Sequence, residues 1–86
     1  MPEMQVSQGE FWNDPAERLA DGFTLKKPKG ARTLTATCEV WTNPFGWELR
    51  LMLEGHLLME SVVRSAPEMA QVIEQWKAAM REHGWN

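Results

Sequence analysis

Residues 47–54, WELRLMLE, alternate between large apolar side chains and mostly charged ones. Successive side chains of a β-strand point to opposite faces of a sheet, so this pattern predicts a half-buried central strand. One face needs a hydrophobic core and is formed by Trp47, Leu49, Leu51 and Leu53. The opposite face is formed by Glu48, Arg50, Met52 and Glu54.

A second strand is predicted over residues 34–42, before the loop at residues 43–46. A three-residue loop suits the Asn-Pro-x-Gly chemistry but places Trp41 beside the leucine face. An even, four-residue loop pairs Val40 with Leu49 instead. We expect the even register, because a slip of one residue would turn a whole strand inside out.

A third strand is predicted over residues 57–64. A two-residue turn before it would place Glu60 against Leu49 in the core, whereas a three-residue loop pairs Leu53 with Leu57. The second register is expected because it keeps the charge out of the core.

These registers align Glu39, Arg50 and Glu60 in one row across three strands. Opposite charges in neighbouring strands attract and contribute about 0.2–1 kcal/mol per pair. The two carboxylates also suggest acid/base chemistry, but such chemistry needs a cleft that perturbs pKa values. On an open sheet face, a solvated ion row is the favoured interpretation.

The sequence Ser65-Ala66-Pro67-Glu68 is a capping box with an early proline, which predicts that a helix begins there. Its apolar stripe follows helical spacing and comprises Met69, Val72, Ile73, Trp76, Ala79 and Met80. Gly84 is a natural stop. This helix is expected to cover the leucine face, with Trp85 folded back or free.

Residues 1–13 have no clear period and are interpreted as an arm. Asp14, followed by Pro15 and Glu17, predicts a short helix that ends at Gly22. Residues 24–32 are expected to form an exposed basic connector. The predicted fold is α+β: a three-stranded antiparallel β-meander with a C-terminal helix on one face, preceded by a short N-terminal helix and arm. The boundary is placed between residues 1–33 and 34–86.

The composition of the 86 residues fits a small globular domain, with 43% hydrophobic residues and a net charge of −3. The single cysteine, Cys38, cannot form an intramolecular disulfide, and no secretory segment or membrane-spanning run is recognisable. A cytoplasmic protein without membrane attachment is expected.

No pattern of residues demands a cofactor or a catalytic mechanism. One cysteine and the two histidines, His56 and His83, make no metal-binding spacing. Cys38 lies among inward-facing positions, so an inert buried thiol is expected. The sequence therefore predicts a non-enzymatic protein with no cofactor and no metal.

Four basic residues cluster in the connector: Lys26, Lys27, Lys29 and Arg32. A basic stretch near Trp41 is typical of nucleic-acid contacts, which makes a nucleic-acid-associated regulator the alternative function. The acidic remainder of the chain argues against it.

The outer sheet face is the favoured contact surface. The apolar residues expected there are Trp41, Met52, Leu58 and Val62, around the row of Glu39, Arg50 and Glu60. Monomers seldom leave such a patch in water. Either the arm, with Phe11, Trp12, Leu19 and Phe23, covers it, or a second subunit does.

We therefore expect a protein–protein association module that is a homodimer or an accessory to a larger protein system. A second alternative is a small-molecule binder or enzyme with a pocket between Trp12 of the arm and Trp41 of the sheet.

The stretch from Cys38 to Trp85 resembles small uncharacterised bacterial proteins. These share a G-W-E-L-R-L strand, here residues 46–51, and a helix with Q-W-K-A-A-M, here residues 75–80, followed by G-W. The resemblance implies a bacterial cytosolic origin and no particular activity.

Overall fold

A computed structural model describes residues 15–86. The elements along the chain are β1 (Arg18–Lys29), β2 (Arg32–Asn43), β3 (Gly46–Leu53), β4 (His56–Val63) and α1 (Ala66–Glu82). The strands form a single antiparallel sheet in the spatial order β1-β2-β3-β4. The α+β class, the antiparallel sheet and the C-terminal helix are thus confirmed. The prediction of three strands is wrong, because the sheet has four.

The additional strand is β1, which occupies positions that the sequence analysis assigned to a short helix and a connector. The chain is extended from Arg18 onward, where the helix over residues 14–22 was expected. Phe23 and Leu25 are buried on the core face of the sheet. The pairing of a whole strand with β2 outweighs local capping signals, which can stabilise only about two turns of helix.

The N-terminal segment was expected to place four apolar side chains over the outer face, and the structure changes this for Phe23. Phe23 is only 8% exposed and packs in the core, so it does not lie on the outer face. Leu19 stays exposed. The arm, with Phe11 and Trp12, and the proposed helix cap Asp14 lie outside the described residues.

The predicted basic connector at residues 24–32 is the end of β1 and the tip of the β1–β2 hairpin. Gly30 adopts φ +62° in the turn. Pro28 is tolerated because β1 is an edge strand. The boundary after residue 33 therefore falls within a hairpin, and residues 18–33 contribute to the same sheet as the following strands.

The register between β2 and β3 is confirmed. Val40 pairs with Leu49 and Cys38 pairs with Leu51, so both strands bury their small and branched side chains on one face. Asn43 and Gly46 form the last pair of the two strands, next to the loop.

The register between β3 and β4 is confirmed for Arg50, which pairs with Glu60, but changes beyond Leu51. The turn contains two residues with positive φ, Glu54 at +52° and Gly55 at +82°. Leu53 therefore pairs with His56 rather than with Leu57. A β-bulge then restores the register that keeps Glu60 out of the core.

The helix α1 begins as predicted and lies over the leucine face. Ser65 is the N-cap, and its hydroxyl accepts a hydrogen bond from the Glu68 N–H at 3.2 Å. Its apolar stripe packs against buried Leu49 and Leu51, yet none of the residues of α1 is itself fully buried. One helix is thus too narrow to cover the face of four strands.

The chain after the helix folds back onto β1. Trp85 is 7% exposed and belongs to the core. The N–H of Lys26 donates to the carbonyl of Asn86 at 2.7 Å, and the N–H of Asn86 donates to the carbonyl of Lys26 at 2.8 Å. The free edge of β1 is therefore partly paired within the chain. No helix in the described part of the chain is long and apolar enough to cross a membrane.

Candidate interaction surface

The centre of the outer sheet face is a polar network around Trp41. The guanidinium of Arg50 stacks over the Trp41 ring at 4.2 Å from its centroid. The indole Nε1 of Trp41 donates to Glu39 Oε1 at 2.8 Å, and Glu39 also pairs with Arg18 at 3.4 Å. This face is therefore occupied by satisfied charges as well as by apolar groups.

The predicted ion row is corrected in its pairing. Glu39, Arg50 and Glu60 do lie opposite one another across β2, β3 and β4. However, Arg50 Nε donates to Glu48 Oε2 on its own strand at 2.8 Å. A partner two positions away on the same face of a strand competes with the cross-strand carboxylates.

The hydrogen bond from Arg50 lowers the pKa of Glu48 below its ordinary value. A hydrogen bond to Glu48 raises the pKa of Glu60, because two adjacent carboxyl groups hold a proton more readily than one. Glu60 is exposed.

Three of the four predicted apolar contact residues lie on the outer face. Trp41 on β2 and Val62 on β4 both lie opposite Glu48 of β3 on this face. Met52 of β3 lies opposite Leu57 of β4. Leu58 is the exception. The bulge between residues 57 and 59 turns Leu58 toward the helix side of the sheet and places Leu57 on the outer face.

On the helix side, an apolar groove separates β4 from the C-terminal half of α1. It has a volume of about 180 Å³ and is lined by Leu51, Leu58, Met59, Trp76, Ala79 and Met80. All the lining side chains are apolar, so the groove offers no polar group to orient a substrate. The expected pocket between the arm and Trp41 is not this groove, which lies on the opposite face.

Exposed apolar side chains are concentrated on β4. Residues 15–86 contain six large hydrophobic residues that are exposed, and four of them belong to this strand. These four are Leu57, Leu58, Met59 and Val62. Leu57 and Val62 point to the outer face and Leu58 and Met59 to the helix side, so β4 presents apolar surface on both faces of the sheet.

The sequence contains a signal for this surface that simple alternation misses. Leu57, Leu58 and Met59 are consecutive apolar residues, whereas a strand with one wet face needs a polar residue among them. Such a run indicates a strand that is covered on both faces or that contains a bulge.

The two edges of the sheet differ in their protection against other strands. The β1 edge carries Pro28, three lysines and the paired Asn86, which are devices that block strand addition. The β4 edge, HLLMESVV, contains neither proline nor lysine. Among residues 15–86, the edge without these devices is thus also the more apolar one.

Three of the four basic residues predicted as a nucleic-acid contact are engaged within the chain, and the fourth, Lys29, is exposed at the end of β1. Lys27 Nζ donates to the His83 carbonyl at 2.7 Å and lies over the Trp85 ring. Lys26 Nζ donates to a threonine hydroxyl at 3.1 Å. Arg32 pairs with Glu54 at 3.1 Å. Because these contacts lie within the fold, Lys26, Lys27 and Arg32 are less available to a nucleic-acid backbone than unpaired cations would be.

Within the described range, no group of three or more histidine, cysteine, aspartate and glutamate side chains could hold a metal ion. Cys38 is fully buried in β2. Burial, with a smaller contribution from the charge of Asp21, raises the pKa of the Cys38 thiol from 9.0 to about 11. The arrangement is that of an inert thiol.

We expect native Cys38 to react with a disulfide reagent at pH 8 at least about a hundredfold more slowly than in the unfolded chain. A pKa of about 11 instead of 9.0 lowers the thiolate population by this factor, and burial blocks access further. Absorbance after addition of Ellman's reagent, with and without guanidinium chloride, measures both rates. Equal rates would contradict the buried position.

No protein-family model matches the sequence, and no curated protein or solved structure matches it either.

Proposed function

We propose that the protein is a non-enzymatic association module that forms a homodimer through the free edge of β4. The observation that carries this proposal is that four of the six exposed large hydrophobic residues in residues 15–86 belong to that strand. Apolar surface concentrated in one place is typical of a protein–protein contact.

Strand pairing would satisfy two needs of β4 together. Its outward N–H and C=O groups would gain partners, and half-exposed Val62 near its C-terminal end would lose contact with water. Val62 is 46% exposed. Completing the burial of one such side chain contributes about 1 kcal/mol, roughly half the value for burial from full exposure.

Edge pairing is favoured over the face-to-face contact expected from the sequence. A face-to-face dimer would remove Arg50 and Glu48 from water, and desolvating charges is costly unless every partner is replaced. Pairing along β4 leaves this network at the surface. Of the outer-face residues Trp41, Met52 and Val62, only Val62 then lies in the contact.

We expect Val62→Lys to weaken self-association about tenfold or more, because it introduces two like charges at the symmetric contact. Sedimentation equilibrium over a range of concentrations measures the dissociation constant. The matched control is Leu19→Lys, since Leu19 is also exposed, at 51% against 46% for Val62, and lies in the opposite edge strand.

Circular dichroism of both variants checks that the fold is retained. A wild-type protein that remains monomeric at all concentrations would overturn the proposal. Equal weakening by Val62→Lys and Leu19→Lys would show that β4 is not the contact strand.

A further inference from the structure

The hydrogen bonds of Thr35 determine which backbone groups of β4 face outward. The N–H of Thr35 donates to Glu54 Oε2 at 2.7 Å, and its carbonyl accepts from the Glu54 N–H at 2.9 Å. Both groups thus point toward the β3 side of β2. On the other edge, the N–H and carbonyl of Lys26, the partner of Thr35 in β1, point away from the sheet to Asn86.

Along an antiparallel strand, successive residues point their backbone N–H and C=O groups to opposite sides, so the direction found at Thr35 determines the directions on the following strands. Glu39 faces β3 like Thr35, and its partner Arg50 therefore faces β2. The β3 residues on either side of Arg50 then face β4. It follows that Ser61 directs its backbone groups to β3, whereas Glu60 and Val62 direct theirs to the free edge.

A two-fold antiparallel contact must pair these outward residues with one another. Three registers do so, with Glu60, Ser61 or Val62 on the two-fold axis. The first places two Glu60 carboxylates directly opposite each other, which is destabilising. The second places the carboxylate of Glu60 opposite the apolar side chain of Val62.

We infer that the dimer, which rests on the proposed function, pairs β4 of two copies with Val62 opposite Val62, so that Glu60 of each copy faces Arg64 of the other. This register places a β-branched pair at the centre and an opposite-charge pair on each side. Both kinds of cross-strand pair are stabilising.

The surroundings of Arg64 suit this role. Arg64 directly follows β4 and is exposed, and the next residue, Ser65, is still extended at φ −144° and ψ 156°. The N–H of Arg64 donates to Glu68 Oε1 at 2.9 Å, which anchors its backbone at the helix start. Its carbonyl can accept from the N–H of Glu60 in the second copy, but its own N–H is already bonded to Glu68, so the Glu60–Arg64 pair makes one backbone hydrogen bond rather than two.

Cysteine cross-linking tests the register. Directly opposed, hydrogen-bonded residues have Cα atoms about 5.5 Å apart, within the range of a disulfide. We expect Val62→Cys to form a covalent dimer rapidly under mild oxidation, and Ser61→Cys to do so at least about tenfold more slowly. The wild type is the control, because its only cysteine, Cys38, is buried.

A charge exchange tests the predicted ion pair. Arg64→Glu should weaken the dimer about tenfold, since it places two carboxylates opposite each other on both sides of the axis. Glu60→Arg should also weaken it, by placing two cations there. The double variant restores opposite charges and should recover most of the wild-type dissociation constant, which a purely local effect on folding would not do.

The outcomes separate the register from the function itself. A wild-type dimer that cross-links through Ser61→Cys and not through Val62→Cys would overturn the register and leave the association proposal intact. Failure of the double variant to recover affinity would exclude the Glu60–Arg64 pair. A monomeric wild type with no cross-link in either variant would overturn both proposals.

Discussion

Gly46→Ala is expected to lower the free energy of unfolding by about 3 kcal/mol or more. A Cβ atom on Gly46 would lie 2.2 Å from the carbonyl oxygen of Val63 and 3.0 Å from the Cα of Arg64. These are backbone atoms of β4 and of the residue that follows it, so no side-chain rotation relieves the overlap. The φ of +146° at Gly46 adds strain, because L-residues rarely adopt it.

Two other glycines separate the steric cost from the conformational cost. Gly30 and Gly55 have φ of +62° and +82°, and nothing lies within 4 Å of a Cβ added at either. Alanine at these positions should cost only about 1–2 kcal/mol, the penalty of the left-handed conformation. Urea denaturation followed by circular dichroism compares the three variants. A Gly46→Ala protein as stable as Gly30→Ala would contradict the close approach of β4.

Leu49→Ala is expected to destabilise the protein by about 2–5 kcal/mol. Leu49 is 0% exposed and lies on β3, between β2 and β4 and beneath α1. Removing its side chain forfeits buried apolar contact and leaves a cavity that the rigid sheet cannot collapse. Domains of this size have a total stability of about 4–13 kcal/mol, so this loss is a large part of it.

The control is Leu19→Ala, which makes the same chemical change at a position that is 51% exposed. Its effect should stay within about 0.5 kcal/mol, as is usual for surface substitutions. The midpoints of urea denaturation at one fixed protein concentration give both values, and fixing the concentration removes the contribution of dimerisation. Similar losses for both leucines would mean that Leu49 does not lie in the core.

The register at the loop after β2 was predicted by hydrophobic patterning and not by turn chemistry. Turn chemistry at residues 43–46 favoured one register, and the apolar side chains favoured another. The structure has the second, with Val40 opposite Leu49. Many side chains contribute to burial across a strand pair, whereas the turn contributes the preferences of only a few backbone angles. The free energy of burial is therefore the larger of the two and determines the register.

The start of the chain shows the opposite case. The residues from Asp14 to Gly22 carry genuine helix signals, yet those within the described range from Arg18 onward form a strand. A short helix depends on tertiary contacts for its stability, so the available partner decides the outcome. Here the partner is β2, whose edge away from β3 would be unpaired without β1 and which pairs with β1 along its length.

The candidate surface was predicted only in part for a related reason. Trp41, Met52 and Val62 lie on the outer face because strict alternation applies to them. Leu58 does not, because a two-residue turn and a bulge together shift the register between Leu57 and Met59. Periodicity cannot locate a bulge, since one extra residue reverses the direction of every position beyond it.

By itself, the sequence determined the α+β class, the direction of the side chains on β3, the register of β2 against β3 and the start of α1 at its capping box. Each of these depends on neighbours in sequence or on a strong apolar period. Only the tertiary structure decided that residues 18–29 form a strand, that Leu58 faces the groove and that β4 is the unprotected edge. These features depend on which segments meet in space, and the energy of long-range pairing exceeds the local preferences that a sequence displays.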